Sequence, residues 1–145
     1  MSTKVLDIKR YALVFGVVPI SSIGGYGEDE VITFKQTEDS FGTKVGADGS
    51  VTRFATNASL AEMELSLMQT SPLNALLSGI LLLDTNTPGG AGIMPFTIAD
   101  LQGTTLLVCS HAWIVGPPEV TIGKTATERK WKFNGEIAGI MVGGN

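Results

Sequence analysis

Cysteine and histidine are nearly missing. Cys109 is the single cysteine among 145 residues, and His111 is the single histidine. One cysteine builds no internal disulfide framework, so a reducing compartment is the simplest expectation. Cys109 and His111, two apart on one face of an expected strand, fall short of the four ligands of a zinc site. A Ser-His-Asp triad would rest on His111 alone, and no nucleophile elbow is present. Their expected role is packing, and no metal or cofactor is expected.

Basic residues are absent from a long stretch. All ten Lys and Arg fall within 4–53 or 124–132, while Glu62, Glu64, Asp84, Asp100 and Glu119 remain in between. The net charge of -4 argues against a protein that binds nucleic acid by neutralising phosphates. Long apolar runs are missing too. The longest, over 76–83, is far too short to span a bilayer, and the N-terminal segment has charges where a secretory signal needs an apolar core. No membrane association is expected.

Charge is sparse overall, at 17% of residues, whereas glycine is abundant at 18 and the mean hydropathy is +0.25. At this length one domain is expected, with either a large core or apolar surface covered by other chains.

The patterning is mostly that of strands. Residues 11–18 are β-rich and stop at Pro19, with Ile20 continuing a short return before the loop 24–27. Residues 31–36 form a second strand with Ile32 and Phe34 on one face. The cleanest alternation runs over 60–70. Ala61, Met63, Leu65 and Leu67 fall on one side, and Glu62, Glu64, Ser66 and Met68 on the other. That is a half-buried strand with an acidic outer face. Ser71-Pro72 then supplies a cap and a first-turn proline, and leucines at helical spacing predict one buried amphipathic helix over 72–83. Residues 84–92 read as a loop, and 93–99 as a strand whose Pro95 suggests an edge or a late start. Strands over 104–115 and 128–142 complete the chain, with Trp113 and Trp131 expected in the core. The sum is a mainly β domain with one helix covering a sheet opening or end.

Motifs for chemistry are weak. Gly123-Lys124-Thr125 resembles the end of a phosphate-binding loop, but Pro118 stands where its first glycine belongs and a strand pattern follows. Gly24-Gly25-Tyr26-Gly27 has neither the spacing nor the setting of a dinucleotide site. Glu62 and Glu64 are a conceivable acid–base pair, but nothing in the sequence pushes their pKa values apart. No enzyme activity is expected and no catalytic residue is assigned.

One polar stretch organises the rest. Arms 41–45 and 50–54 flank Gly46-Ala47-Asp48-Gly49, a good hairpin signal. A two-residue loop would set Lys44 opposite Arg53, an unfavourable pair. A four-residue loop instead pairs Val45 with Ser50 and Thr43 with Thr52, and is the expected register. The arms are too polar to line a core, and a lone hairpin is barely stable in water. It must lie on other strands or reach a partner.

Several stretches together resemble the tail tube protein family of contractile-tailed bacteriophages. They are Glu38-Asp39-Ser40-Phe41, Val45-Gly46-Ala47-Asp48-Gly49, Met68-Gln69-Thr70-Ser71-Pro72-Leu73-Asn74, Asp100-Leu101-Gln102-Gly103-Thr104-Thr105-Leu106, Trp113-Ile114 and Arg129-Lys130-Trp131. The resemblance implies a β-sandwich or half-barrel subunit with one flanking helix and an extended hairpin. It implies six-membered rings stacked into the inner tube of a virion tail, assembled in the host cytoplasm. Implied partners are tail sheath, tape-measure, baseplate and tail-terminator proteins, with genomic DNA traversing the lumen without specific binding during ejection. By the same resemblance the hairpin makes inter-ring contacts through Lys44, Gly46, Asp48, Gly49 and Arg53. Glu62, Glu64 and Ser66 are the candidate lumen-facing residues, because they alternate with core positions and the glutamates lack basic partners. The alternative class is a monomeric β-sandwich binding or adaptor module.

Overall fold

The computed structural model describes residues 11–27, 31–101 and 103–143. The N-terminal segment read for a secretory signal, the acidic triplet at 28–30, Gln102 of the expected turn and the last two residues lie outside these.

Among the described residues eight strands and two helices follow one another as β1 (Tyr11–Phe15), α1 (Ile20–Ile23), β2 (Ile32–Gln36), β3 (Phe41–Val45), β4 (Val51–Ala55), β5 (Leu60–Met68), α2 (Leu73–Asn86), β6 (Met94–Asp100), β7 (Leu106–Gly116) and β8 (Glu128–Met141). Six strands form one antiparallel sheet in the order β1-β6-β7-β8-β5-β2, and β3 pairs with β4 in a sheet of their own. The large sheet curls into a half-barrel. Curling lets strands distant in the order share one core.

That core is aromatic at its centre. The rings of Phe15, Phe96 and Phe133 meet at centroid distances of 5.1–5.6 Å, two of the three pairs edge-on. Tilted and edge-on contacts suit the ring quadrupoles, and each fully buried large side chain contributes about 1.5–3 kcal/mol. Ala61, Met63, Leu65 and Leu67 all point inward from β5, as the alternation predicts. Across the ladder Met63 faces Phe133 and Leu65 faces Trp131, so two amphipathic strands pool their apolar faces.

The first strand is shorter than expected. A bridge between Phe15 and Val18 folds the chain back just before Pro19, and the expected short return is the helix α1. The second helix starts where Ser71-Pro72 places it. Pro72 has helical dihedrals, and the Ser71 hydroxyl accepts the Leu73 N–H at 3.3 Å while donating to the Gly24 carbonyl at 3.0 Å. Two expectations for it need correction. The helix runs on to Asn86 through residues read as loop, its backbone ladder continuing to the Thr87 N–H, which donates to the Leu83 carbonyl at 3.0 Å. It is also buried on one side only. Leu73 and Leu77 are covered, whereas Leu76, Leu82 and Leu83 are about half exposed.

Strand β6 is not an edge, since it sits between β1 and β7. Pro95 is accommodated by a register shift between Met94 and Phe96, and its carbonyl accepts the Gly16 N–H at 2.7 Å.

Candidate functional site

Three surface features remain after the core is accounted for: the β3–β4 hairpin, the polar face of the large sheet, and that sheet's two margins.

The hairpin carries all five residues singled out for it, but its register differs from the expectation. Val45 faces Val51, Lys44 faces Thr52 and Thr43 faces Arg53, leaving a five-residue loop over 46–50. Asp48 is the cause. Its Oδ1 accepts the Ser50 N–H at 3.0 Å, while the Gly46 N–H donates to the Ser50 carbonyl at 2.7 Å. Ser50 is thereby drawn into the turn, and Gly49 closes it at φ +88, a region where only glycine is unstrained. The hydrogen bonds from Ser50 hold the Asp48 carboxyl below the usual aspartate range. Lys44 and Arg53 still avoid facing each other.

The Arg53 guanidinium lies 3.8 Å from the centroid of Phe41. The ring of Phe54 lies over Gly42 so closely that a Cβ there would come within 2.2 Å of it. Every residue from 43 to 57 is exposed, and Phe41, Val45, Val51 and Phe54 each leave about half or more of their surface to solvent. These exposed apolar side chains are interleaved with Lys44, Asp48 and Arg53.

The polar face is built from four strands. Glu62, Glu64 and Ser66 share it, as their alternation requires, although Ser66 is only 5% exposed. Cross-strand pairing sets them in rows. One row runs Lys35, Glu62, Asn134, Trp113, the next Thr33, Glu64, Lys132, and Ser66 stands beside Lys130. Glu136 pairs with His111 on the same face, with Nδ1 3.8 Å from the carboxylate. The Lys35 ammonium is 3.7 Å from Glu62. The premise that these glutamates lack basic neighbours is therefore overturned. Their lysines come from β2 and β8, which are remote in the chain but adjacent in the sheet. The face is charge-compensated, not acidic. Lys35, Lys130, Lys132 and Asn134 are the residues missed, and their alternation with core positions was the available signal.

A bulge corrects the reading of β7. Cys109 faces Ile137 and His111 faces Glu136, so Ser110 is an extra residue and the inward–outward phase shifts there. Cys109 points into the core, where burial pushes its thiol pKa up, while His111 is exposed on the opposite face. The same shift turns Trp113 outward onto the polar face, half-buried beside Asn134, instead of into the core. Trp131 does sit in the core.

The connection over 117–127 is irregular and carries Gly123-Lys124-Thr125 straight into β8 without a helix. It is tied down at its end, where Gln69 Oε1 accepts both the N–H and the hydroxyl of Thr127 at 3.2 Å. Its first part walls an open groove of about 650 Å³ lined by Val115, Pro117, Glu119 and Thr121 against Glu64 and Lys132. Among the described residues, no three His, Cys, Asp or Glu are placed to hold a metal ion, and no helix is long and apolar enough to cross a membrane.

Comparison with known proteins agrees with this architecture. Residues 4–143 match the Bacteriophage PhiTE tail tube protein family. Structural protein ORF10 of Pseudomonas phage KPP10 is 27% identical over 124 residues, covering 86% of this chain and 72% of the relative. Among solved structures, the anti-feeding prophage cap, a tube-terminating cap, superposes with a TM-score of 0.52 at 10% identity. That match covers 94% of this chain and 90% of the cap chain.

Proposed function

Because the chain belongs to the bacteriophage PhiTE tail tube protein family, a component of the virion tail, we propose that it closes with copies of itself into rings that stack as a hollow tube. The observation that carries this is the pair of margins of the half-barrel. Among the described residues β1 and β2 are its end strands, each with one side facing no other strand of the sheet. Such edges pair readily with another chain, and a head-to-tail contact that closes gives a ring. Neighbouring subunits joined β1 to β2 would extend one sheet around a bore.

The finer reading follows the resemblance. Six subunits form each ring, and the hairpin contacts the next ring. The polar face lines the lumen, through which genomic DNA is ejected. Sheath, tape-measure, baseplate and terminator proteins are the partners, and assembly takes place in the host cytoplasm. The chain catalyses nothing. A bore in which lysines and glutamates alternate offers a passing polyanion no basic track to hold it.

A second reading is favoured by the likeness to a tube-terminating cap. There the chain would form a ring that ends a tube. Electron microscopy of the purified protein separates these. Tubes of constant width and indefinite length support the first, isolated rings support the cap, and a stable monomer at high concentration, as for an adaptor module, overturns both.

A further inference from the structure

Two steps in the chain put a side-chain carbonyl directly ahead of an unhindered glycine amide, Asp48-Gly49 and Asn134-Gly135. At such a step the glycine nitrogen closes on the side-chain Cγ to give a cyclic succinimide, provided the backbone lets the two atoms meet. Asn134-Gly135 is barred from this. It lies inside β8, where Asn134 pairs with Glu62 and Trp113 and Gly135 with Ala61 and Ala112, so ladders on both sides hold the backbone extended. Asp48-Gly49 sits in the exposed loop of the hairpin, outside any ladder.

What holds Asp48-Gly49 is the turn itself. The Gly49 N–H, the group that would attack, donates to the Gly46 carbonyl at 3.0 Å. The Asp48 carboxylate, the group that would be attacked, accepts the Ser50 N–H at 3.0 Å through Oδ1. The same oxygen leans across the loop, so that a Cβ on Gly46 would come within 3.0 Å of it. The carboxylate is thus tied past the Gly49 amide to the next amide along, a local bond that competes with any other use of the group. The bonds from Ser50 also favour the ionised carboxyl, the poorer electrophile, because one oxygen has to leave as water. Nothing else shields the step, since the position of a Cβ on Gly49 is open space. Opening the loop frees both reacting groups together.

We propose that Asp48-Gly49 is a site of spontaneous isoaspartate formation, and that closure of the 46–50 loop is the latch that holds the reaction off. In the open loop the Gly49 nitrogen attacks Asp48 Cγ. The N–Cγ bond forms and a Cγ–O bond breaks, and that oxygen leaves as water with the amide proton and one proton from solvent. Hydrolysis on the side of the Asp48 main-chain carbonyl returns the water, and the chain then runs through Cγ. No electrons are exchanged, but the backbone gains one atom between Val45 and Val51, where loop length sets the register of the arms. A subunit whose hairpin has stayed open long enough to react cannot close it again in this register. The inference stands apart from the stacked-tube reading.

Trypsin releases the loop as one peptide, residues 45–53, between Lys44 and Arg53, and its isoaspartyl form separates on reversed-phase chromatography. The purified chain and the free synthetic peptide are aged side by side in one buffer. The folded chain should convert at least about tenfold more slowly than the peptide, the effect of ~1.4 kcal/mol on the barrier. Equal rates overturn the proposal, and a peptide that does not convert overturns the site itself. Ser50→Pro removes the amide that holds the carboxylate and should raise the folded rate to that of its own peptide. Ser50→Ala keeps that amide and should stay slow. Ser50→Pro as slow as the unsubstituted chain, or Ser50→Ala as fast as its peptide, overturns the latch.

Discussion

The indole N–H of Trp131 donates to Asn74 Oδ1 at 3.0 Å, joining the middle of the sheet to the first turn of α2. Asn74 also donates from Nδ2 to the carbonyls of Met68, at 2.9 Å, and Gln69, at 3.3 Å. One side chain thus fixes the helix, the end of β5 and the buried indole. Asn74→Ala leaves a buried donor and two carbonyls without it, which costs about 2–3 kcal/mol. Thermal unfolding by circular dichroism at one fixed concentration should show Tm lower by about 5–10 °C. Asn74→Asp keeps the acceptor near a helix N-terminus and should lose less.

Gly42 is needed for a different reason. Any Cβ there collides with the Phe54 ring, the partner directly across the hairpin. Gly42→Val should displace that ring and cut the yield of sedimentable tubes by about tenfold or more, the effect of ~1.4 kcal/mol at each ring contact. The far-UV spectrum should barely change, because the hairpin is a separate sheet. Unchanged tube yield would remove the hairpin from assembly.

The turn should respond to acid. Asp48 has its carboxyl pKa lowered by the bonds from Ser50, so the folded turn favours the ionised form. Its contribution is fully present above the ordinary aspartate value and is lost as pH falls through the depressed folded value. The Ser50 amide proton, followed by NMR in the unassembled chain, should shift upfield with a midpoint below that of an unstructured aspartate. Asp48→Asn should abolish the titration. A midpoint at or above the unstructured value would contradict the hydrogen bond.

Charge on the polar face can be reversed with little effect on folding. Lys35 and Glu62 are both more than half exposed, and such pairs are worth about 0–1 kcal/mol. Glu62→Lys with Glu64→Lys adds two cations beside Lys35 and Lys132 and should leave tubes assembling while genome delivery drops. Adding Lys35→Glu should recover part of it. Infectivity measured in complemented phage checks this, and normal delivery by the double variant would count against the lumen assignment.

The local devices were legible in the sequence. Alternation over 60–70 identified the buried face of β5 residue by residue, and Ser71-Pro72 marked the start of α2, because both signals depend on near neighbours in the chain. What escaped depends on pairing between distant segments. Glu62 and Glu64 read as isolated acids until β2 and β8 brought Lys35 and Lys132 alongside. The hairpin slipped by one residue because Asp48 captured Ser50, a choice that strand propensities do not rank. Cys109 and His111 read as facing the same way because a bulge is invisible to a period-two count.

That extra residue at Ser110 has a consequence for how the strand can change length. Inward and outward positions alternate from Leu106 to Cys109 and from His111 to Ile114, so removing a residue within either run would turn part of the strand over. Dropping Ser110 alone would leave both flanks oriented as they are and merely straighten the ribbon. The register shifts again between Ile114 and Gly116, so β7 has two positions, Ser110 and Val115, where a single codon could be lost without turning the subunit inside out.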